Sequence, residues 1–224
     1  MQQNAPTNRK ARVVVLKTGT TYPDIRARFG DFDEWFLRGL SDELDITVAN
    51  AEAGELPGNP EDWDGIVVTG SPAMVSDRAE WSENAGRWLG GEAGYHPNGR
   101  ETGTHEVELL PEAASDVLFR ELPEKFPAQL THRQSVLRLP EGAVLLGRNQ
   151  FEPHQAFRIG PCAWGVQFHP EFTDAIMSAY LKVQAPDLTR EGLDAEALIA
   201  GVKPAPDASS LLSRFSRFVQ DRIR

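Results

Sequence analysis

Apolar and polar residues follow two different periods over the first part of the chain. Residues 13–16 form a continuous apolar run that ends in the sequence KTGTTYP, a pattern typical of a strand buried on both faces and followed by a loop. The next apolar side chains recur at positions i, i+3, i+4 and i+8, namely Phe32, Trp35, Phe36 and Leu40. This spacing predicts a helix with one apolar face.

Two more short apolar runs, at residues 46–49 and 66–69, predict further strands. Strands that alternate with helical segments are typical of an α/β fold, in which helices cover both faces of a doubly wound, mostly parallel sheet. Between residues 106 and 168 the apolar runs are short and separated by turn-forming residues, so we expect antiparallel strands added to the parallel core. Such sheets bind their ligands at the carboxyl ends of the parallel strands.

The C-terminal segment has a one-sided apolar stripe, which predicts a helix that packs on the sheet. Its members are Leu211, Leu212, Phe215, Phe218, Val219 and Ile223. Another helix is expected over residues 174–183. Because residues 1–11 are mostly polar, we expect a flexible N-terminal arm followed by a single domain over residues 12–224.

The composition narrows the class of protein. The 224 residues have a formal net charge of −10, whereas binding to nucleic acid or to an anionic membrane needs clustered Lys and Arg. We therefore expect neither as a partner. No apolar run reaches the roughly 18 to 20 residues of a membrane span, and the N-terminal sequence lacks the pattern of a secretory signal. These observations predict a cytoplasmic protein.

Metal and cofactor motifs are also missing from the sequence. The single cysteine, Cys162, excludes an internal disulfide and a multi-cysteine metal site. The five histidines show no close metal-ligand spacing. The chain contains neither a Walker-type loop nor a G-x-G-x-x-G loop for phosphates. We expect no metal and no cofactor.

The sequence AWGVQFHPEF, residues 163–172, contains the strongest candidate for chemistry. Its alternation predicts a strand to Phe168, with His169 and Glu171 at its end. Side chains at i and i+2 of an extended segment point the same way, and Pro170 fixes φ and offers no competing N–H. A carboxylate on one imidazole nitrogen leaves the other nitrogen free to take a proton. The alternative is a surface histidine beside an unrelated helix-capping acid.

The sequence TGSP, residues 69–72, is the second candidate. A glycine after a buried strand lets the backbone turn sharply and present free amides, so Gly70 and Ser71 fit an oxyanion site. An ordinary strand-to-helix turn is the alternative. Two further histidines, His105 and His132, lie in the sequences GRETGTHEVEL and THRQSV, and we expect structural roles for both.

Together, GIVVTGSP, THRQSVLRLPEGAVLLGRN and AWGVQFHPEF resemble the class I glutamine amidotransferases, in particular stand-alone members similar to the glutaminase domain of GMP synthase. The resemblance extends from about Val13 to the terminal helix. It implies a flavodoxin-like doubly wound sheet with added antiparallel strands. Members of this family hydrolyse the side-chain amide of glutamine with a Cys-His-Glu triad and pass the ammonia to a synthase. The resemblance implies that His169 is the general base and that Glu171 orients it.

The resemblance also implies roles for residues outside this pair. Gly70 and Ser71 would lie at the oxyanion hole. The backbone around Gln134 and Ser135 would help to hold the α-groups of glutamine, although Gln134 stands where many relatives have an acid.

The nucleophile that the family uses is missing from the expected position. It is a cysteine in a turn of the form G-[IV]-C-x-G-H-Q, but here Leu89 is joined directly to Gly90, so about 20 to 25 residues for a central strand and helix are absent. Cys162 does not replace it, because seven strand steps of about 3.3 Å would put it roughly 23 Å from His169. We interpret Cys162 as a small apolar residue at the start of its strand. Ser71 is expected to line the oxyanion site rather than attack.

Three explanations are open for the missing segment. The sequence omits a segment of the natural protein, the fold closes by rearranged pairing or exchange within a homodimer, or the chain is a relative that has lost the glutaminase reaction. Loss of a central strand would cost many kcal/mol against a net stability of about 5 to 15 kcal/mol, which favours the first. For the 224-residue sequence without this cysteine, we predict no glutaminase activity. The alternatives are a non-catalytic protein that binds glutamine or a separate synthase subunit, and a hydrolase of γ-glutamyl small molecules.

Overall fold

The computed structural model describes residues 9–55, 57–72 and 92–224, with the backbone alone at residues 92 and 93. Contacts divide the chain into two compact units, one of residues 1–72 and 210–224 and the other of residues 73–209. The junction at residues 89–90, where the nucleophile segment is predicted to be missing, lies outside the described residues, as do residues 1–8. The flexible arm and the single domain therefore stay predictions.

The described elements comprise both strands and helices. The strands are β1 (Arg12–Lys17), β2 (Asp45–Asn50), β3 (Gly65–Val68), β4 (Glu92–Tyr95), β5 (Glu101–Leu109), β6 (Lys125–His132), β7 (Gln134–Arg138), β8 (Val144–Arg148), β9 (Ala156–Ile159) and β10 (Ala163–Val166). The helices are α1 (Pro23–Phe29), α2 (Phe32–Gly39), α3 (Asp174–Arg190), α4 (Ala195–Ala200) and α5 (Pro206–Arg222). No helix in the described ranges is long and apolar enough to cross a membrane.

The first unit is built on a parallel sheet of three strands in the order β2-β1-β3. Each strand begins and ends within one residue of a predicted apolar run, so these three predictions are confirmed. The central strand is the most deeply buried, because Val13, Val14 and Val15 of β1 have no exposed surface. The carboxyl ends of β1 and β3 lead into the KTGTT and TGSP segments.

Two amphipathic helices cover the core of this unit. The helix α2 begins with a capping box, in which the Asp31 side chain accepts from the backbone of α2 and Glu34 accepts from the Asp31 N–H. Its predicted apolar face is buried, and the C-terminal stripe on α5 packs against the same core. The core residues are Ala11, Val13, Val15, Phe36, Leu40, Leu44, Leu212 and Val219, with Ile46, Val67, Phe215, Phe218 and Ile223 at their margin.

The second unit contains the antiparallel strands that the middle of the sequence predicts. Five strands form a sheet in the order β10-β9-β8-β5-β6, and β4 pairs with β7 in a separate antiparallel pair. The long hairpin of β5 and β6 places Glu101 opposite His132. The combination of a parallel sheet with added antiparallel strands and helices confirms the predicted α/β class.

Helix α3 follows the HPEF sequence directly and packs in the second unit. Thr173 caps its N-terminus, because the Thr173 side chain accepts a hydrogen bond from the Ile176 N–H at 3.2 Å. Ile176, Met177 and Tyr180 in its first two turns are buried. The segment that joins β10 to α3 is therefore held at both ends.

Candidate active site

The strand that leads to the HPEF sequence is shorter than predicted. β10 ends at Val166, two residues before the end that the apolar alternation indicates. The Gln167 N–H still donates to the Gln155 carbonyl at 2.9 Å, whereas the His169 N–H donates to the carbonyl of Gln129 on β6 at 2.8 Å. The chain bends here because its pairing partner changes between these residues.

His169 and Glu171 meet across a turn. The Phe172 N–H donates to the His169 carbonyl at 3.3 Å, and Pro170 has the fixed φ that suits the second position of such a turn. The expectation of an extended segment is therefore wrong for this stretch. The two side chains nevertheless come together, because Nδ1 of His169 lies 2.7 Å from Oε1 of Glu171.

The surroundings of this pair fix the imidazole in one orientation. The Glu171 side chain is 1% exposed and the His169 side chain 17% exposed, so the carboxylate is more deeply buried than the ring. Phe172 stacks on the ring with centroids 4.2 Å apart, and Tyr180 packs against Phe172 in turn. Since a carboxylate accepts hydrogen bonds, Nδ1 of His169 holds a hydrogen, and Nε2 keeps the lone pair in the neutral ring. Nε2 is the nitrogen that can accept a proton.

Gln134 and Ser135 lie at the start of β7, opposite Tyr95 and Gly94 of β4. Ser135 is 2% exposed. Its buried hydroxyl oxygen makes no hydrogen bond within the part of the chain that the structure describes. Both residues belong to the same unit as His169.

A buried polar cluster supports the start of β7, and the sequence did not reveal it. His132 contacts the Gln134 carbonyl through Nδ1 at 3.1 Å and Oε2 of Glu101 through Nε2 at 3.0 Å. Glu101 is 3% exposed, and its carboxylate also accepts from the side-chain amides of Asn149 and Gln155. This environment agrees with the structural role expected for His132.

Gln167 is a second residue that the sequence pattern did not single out. Its side-chain amide contacts the backbone of Val136 on β7. The only local signal was a polar residue inside a predicted buried run. His105, by contrast, contacts the Thr102 carbonyl of its own strand at 2.7 Å, which fits the expected structural role.

The predicted oxyanion residues, Gly70 and Ser71, belong to the first unit. The Gly70 carbonyl accepts from the hydroxyls of Thr18 and Thr69, at 3.3 and 3.0 Å. The loop after β1 approaches so closely that a Cβ on Gly19 would lie 2.9 Å from the Ser71 Cα. These contacts fix the TGSP turn within its own unit, and the oxyanion role of Gly70 and Ser71 stays a prediction.

Cys162 is exposed and lies in the turn between β9 and β10. His169 follows the opposite end of β10, a strand that spans about 13 Å at the usual rise per residue. Among the described residues, no group of three or more His, Cys, Asp or Glu side chains is placed to hold a metal ion.

Comparisons with known proteins find similarity to one family. Residues 83–182 match the family model for class I glutamine amidotransferases. The chain is 43% identical over 63 residues to the glutamine-hydrolysing GMP synthase of Thermosipho melanesiensis, an alignment that covers 28% of this chain and 12% of that protein. It is 35% identical over 135 residues to the corresponding enzyme of Porphyromonas gingivalis, which covers 50% of this chain and 26% of that protein. The alignments thus span about a quarter or less of these relatives.

Solved structures agree on the fold. A glutamine amidotransferase from Thermotoga maritima superposes with a TM-score of 0.66 at 17% identity, covering 96% of this chain and 99% of that one. A glutamine amidotransferase from Methylobacillus flagellatus gives a TM-score of 0.63 at 17% identity, covering 96% and 92%. Residues 83–182 therefore resemble the class I glutamine amidotransferases, and the chain has the fold of the solved glutamine amidotransferases.

Proposed function

We propose that this chain binds glutamine at a site whose acid–base pair is His169 with Glu171. Gln134 and Ser135 hold the α-groups of the ligand. The observation that supports the proposal best is the 2.7 Å contact between Nδ1 of His169 and a carboxylate that is 1% exposed. This contact leaves Nε2 available for proton transfer.

The buried hydroxyl of Ser135 gives further support. An unpaired polar group inside a protein costs about 1 to 3 kcal/mol, and the Ser135 hydroxyl has no partner within the described residues. A ligand with polar groups, such as the α-amino and α-carboxylate groups of glutamine, would remove that cost. Ser135 is therefore expected to contribute to glutamine affinity.

In a complete Cys-His-Glu triad these residues would act in sequence. Nε2 of His169 takes the thiol proton, the thiolate attacks the amide carbon, and the proton is returned to the departing nitrogen to release ammonia. Water then cleaves the γ-glutamyl thioester to give glutamate. Glu171 keeps the ring oriented throughout.

Because it lacks the nucleophile cysteine, this chain is proposed to bind glutamine without hydrolysing it. Its single thiol is Cys162, which is exposed and separated from His169 by the length of β10. Proton transfer needs heavy atoms about 3 Å apart. A thiol at that turn is therefore too far away to act as the nucleophile.

The test uses the whole 224-residue chain with L-glutamine. Calorimetry measures binding, and a coupled enzyme assay measures ammonia. We expect saturable binding and no ammonia above the buffer rate. His169→Gln is expected to weaken glutamine binding, whereas the matched control His105→Gln, which removes a histidine bound to its own strand, is expected to leave binding unchanged.

Two outcomes would count against the proposal. Failure of the wild-type chain to bind glutamine would remove the proposed ligand. Ammonia release that disappears in His169→Gln would show that the chain is an active glutaminase. A parallel panel of γ-glutamyl amides tests the remaining alternative, since selective hydrolysis of one of them would identify a γ-glutamyl hydrolase.

The partner of the site is a proposal of the same kind. The relatives are glutamine-hydrolysing GMP synthases. We therefore propose a separate synthase subunit as partner, in a cytoplasmic location. Light scattering of the purified chain tests the alternative of a homodimer, which would give twice the mass of one chain.

A further inference from the structure

Side chains, rather than a strand, cover one edge of β7. Within the described residues, β7 pairs with β4 in a sheet of two strands. Backbone groups of alternate residues in a strand face the same edge. The Gln134 carbonyl contacts Nδ1 of His132 at 3.1 Å, and the Val136 carbonyl contacts Nδ1 of His154 at 2.6 Å. Two histidine rings thus contact the backbone carbonyls of β7 at the edge that faces away from β4.

Gln167 completes this arrangement. Its Oε1 accepts from the Val136 N–H at 3.1 Å, and its Nε2 donates to the His154 carbonyl at 3.0 Å. Both polar atoms of one side-chain amide are therefore used, and both backbone groups of Val136 are bound by side chains. A primary amide suits this place because it offers an acceptor and a donor together.

Gln167 is also part of the segment that positions His169. The backbone N–H groups of the two residues are anchored to the carbonyls of Gln155 and Gln129, at 2.9 and 2.8 Å. Phe168 between them is 2% exposed and meets Phe126 edge to face, with centroids 5.8 Å apart. A shift of β7 away from Gln167 would therefore also shift β7 away from His169.

We propose that Gln167 is a positioning residue whose side-chain amide sets the place of Gln134 and Ser135 relative to His169. This inference rests on the proposed function, in which β7 holds the α-groups of glutamine and His169 faces its side-chain amide. A ligand that contacts both elements binds tightly only when the spacing between them is fixed.

A simpler role would be to cap an exposed strand edge without any effect on the site. Both roles predict a loss of stability when Gln167 is replaced. Positioning alone predicts a change in the environment of the His169 ring and in glutamine affinity. The experiment therefore needs a control that loses the same hydrogen bonds elsewhere.

Gln220 of α5 provides that control. Its Oε1 accepts from the Ala11 N–H at 3.0 Å, and its Nε2 donates to the Arg9 carbonyl at 3.3 Å. Gln220 and Gln167 are both half-buried, and each binds one backbone N–H and one backbone carbonyl. Gln220→Met in the first unit thus matches Gln167→Met in the second.

Both variants are made in the whole chain and compared with the wild type. Hydrogen exchange measures the Val136 amide, NMR measures the His169 ring signals, and calorimetry measures L-glutamine binding. For Gln167→Met we expect about tenfold faster Val136 exchange, shifted His169 signals and about tenfold weaker glutamine binding, as for loss of one or two hydrogen bonds. For Gln220→Met we expect all three to equal the wild type.

The outcomes separate this inference from the function on which it rests. Normal His169 signals and normal glutamine affinity in Gln167→Met would show that Gln167 only caps the edge, and would overturn the inference. If the wild-type chain binds no glutamine, the proposed function fails. The His169 signals then still decide the positioning role in the free chain, since a shift supports it and no shift overturns it.

Discussion

Oε1 of Glu171 lies 2.7 Å from Nδ1 of His169, and this contact selects one tautomer of the neutral imidazole. We predict that wild-type His169 has its hydrogen on Nδ1. In Glu171→Leu the acceptor is lost, so the hydrogen is expected to move to Nε2. A protonated Nε2 has no free lone pair and could no longer act as the base. The ¹⁵N shifts of the ring, measured where the ring is neutral, distinguish the two tautomers.

His105 is an internal control in the same spectra. Its ring contacts the Thr102 carbonyl and has no contact with Glu171 among those the structure gives, so its signals should be the same in both proteins. A wild-type His169 that already holds its hydrogen on Nε2 would contradict the orienting role of Glu171.

The sequence predicted the elements and residues whose signals are local. The buried run of residues 13–16 specifies β1 by itself, and the spacing from Phe32 to Leu40 specifies α2. His169 and Glu171 are two positions apart, so their pairing needed only one short segment to be interpreted. The turn between them was missed because apolar alternation alone does not show where a strand changes its partner.

The rest of the candidate site depends on strand register and tertiary packing. Gln167 meets Val136, and His132 meets Glu101, across 31 positions of sequence in each case. Those contacts follow from which strands pair and in which register, and a polar residue at one position does not specify a partner so far away. A glutamine within an apolar run was the one visible sign.

Cys162 gives a prediction about the missing nucleophile. Because this thiol is exposed in a turn, one equivalent of a thiol reagent should react with the native chain, and labelling should leave glutamine binding unchanged. Cys162→Ala should bind glutamine like the wild type and should not react. Calorimetry of the labelled chain checks this, and loss of glutamine binding after labelling would place the thiol at the site and contradict the prediction.

The ion pair between Lys17 and Asp31 predicts how stability depends on pH. Nζ of Lys17 lies 2.7 Å from Asp31 and 3.0 Å from Asp33. Burial acts to raise the pKa of Asp31, but hydrogen bonds from Lys17 and from the Thr21 and Phe32 N–H groups outweigh burial and hold this pKa below its ordinary value. The stabilisation is therefore present above about pH 3.9 and is lost as the pH falls towards the lower pKa of the folded state.

We predict that Asp31→Asn lowers the free energy of unfolding by about 3 kcal/mol at pH 7, the lower end for breaking a buried pair, because Asp33 remains beside Lys17. The difference from the wild type should stay constant down to about pH 4 and shrink below it. Urea unfolding at several pH values measures this. Asp24→Asn, at an exposed position of α1, is the control and should change stability by no more than about 0.5 kcal/mol. An unchanged difference at pH 3 would contradict the ion-pair account.

Gly39 and Leu212 form a close contact between α2 and α5. A Cβ on Gly39 would overlap the end of the Leu212 side chain and lie 3.1 Å from the Leu212 Cβ. Gly39→Ala should therefore lower the free energy of unfolding by about 1 to 3 kcal/mol through overpacking, although alanine favours a helix. Leu212→Ala should cost about 2 to 5 kcal/mol alone. In the double variant, the smaller side chain at position 212 makes room for the new methyl group. Its loss of unfolding free energy, measured by urea unfolding, should therefore be at least about 1 kcal/mol smaller than the sum of the losses of the two single variants. Additive losses would mean that positions 39 and 212 do not interact, and would contradict this prediction.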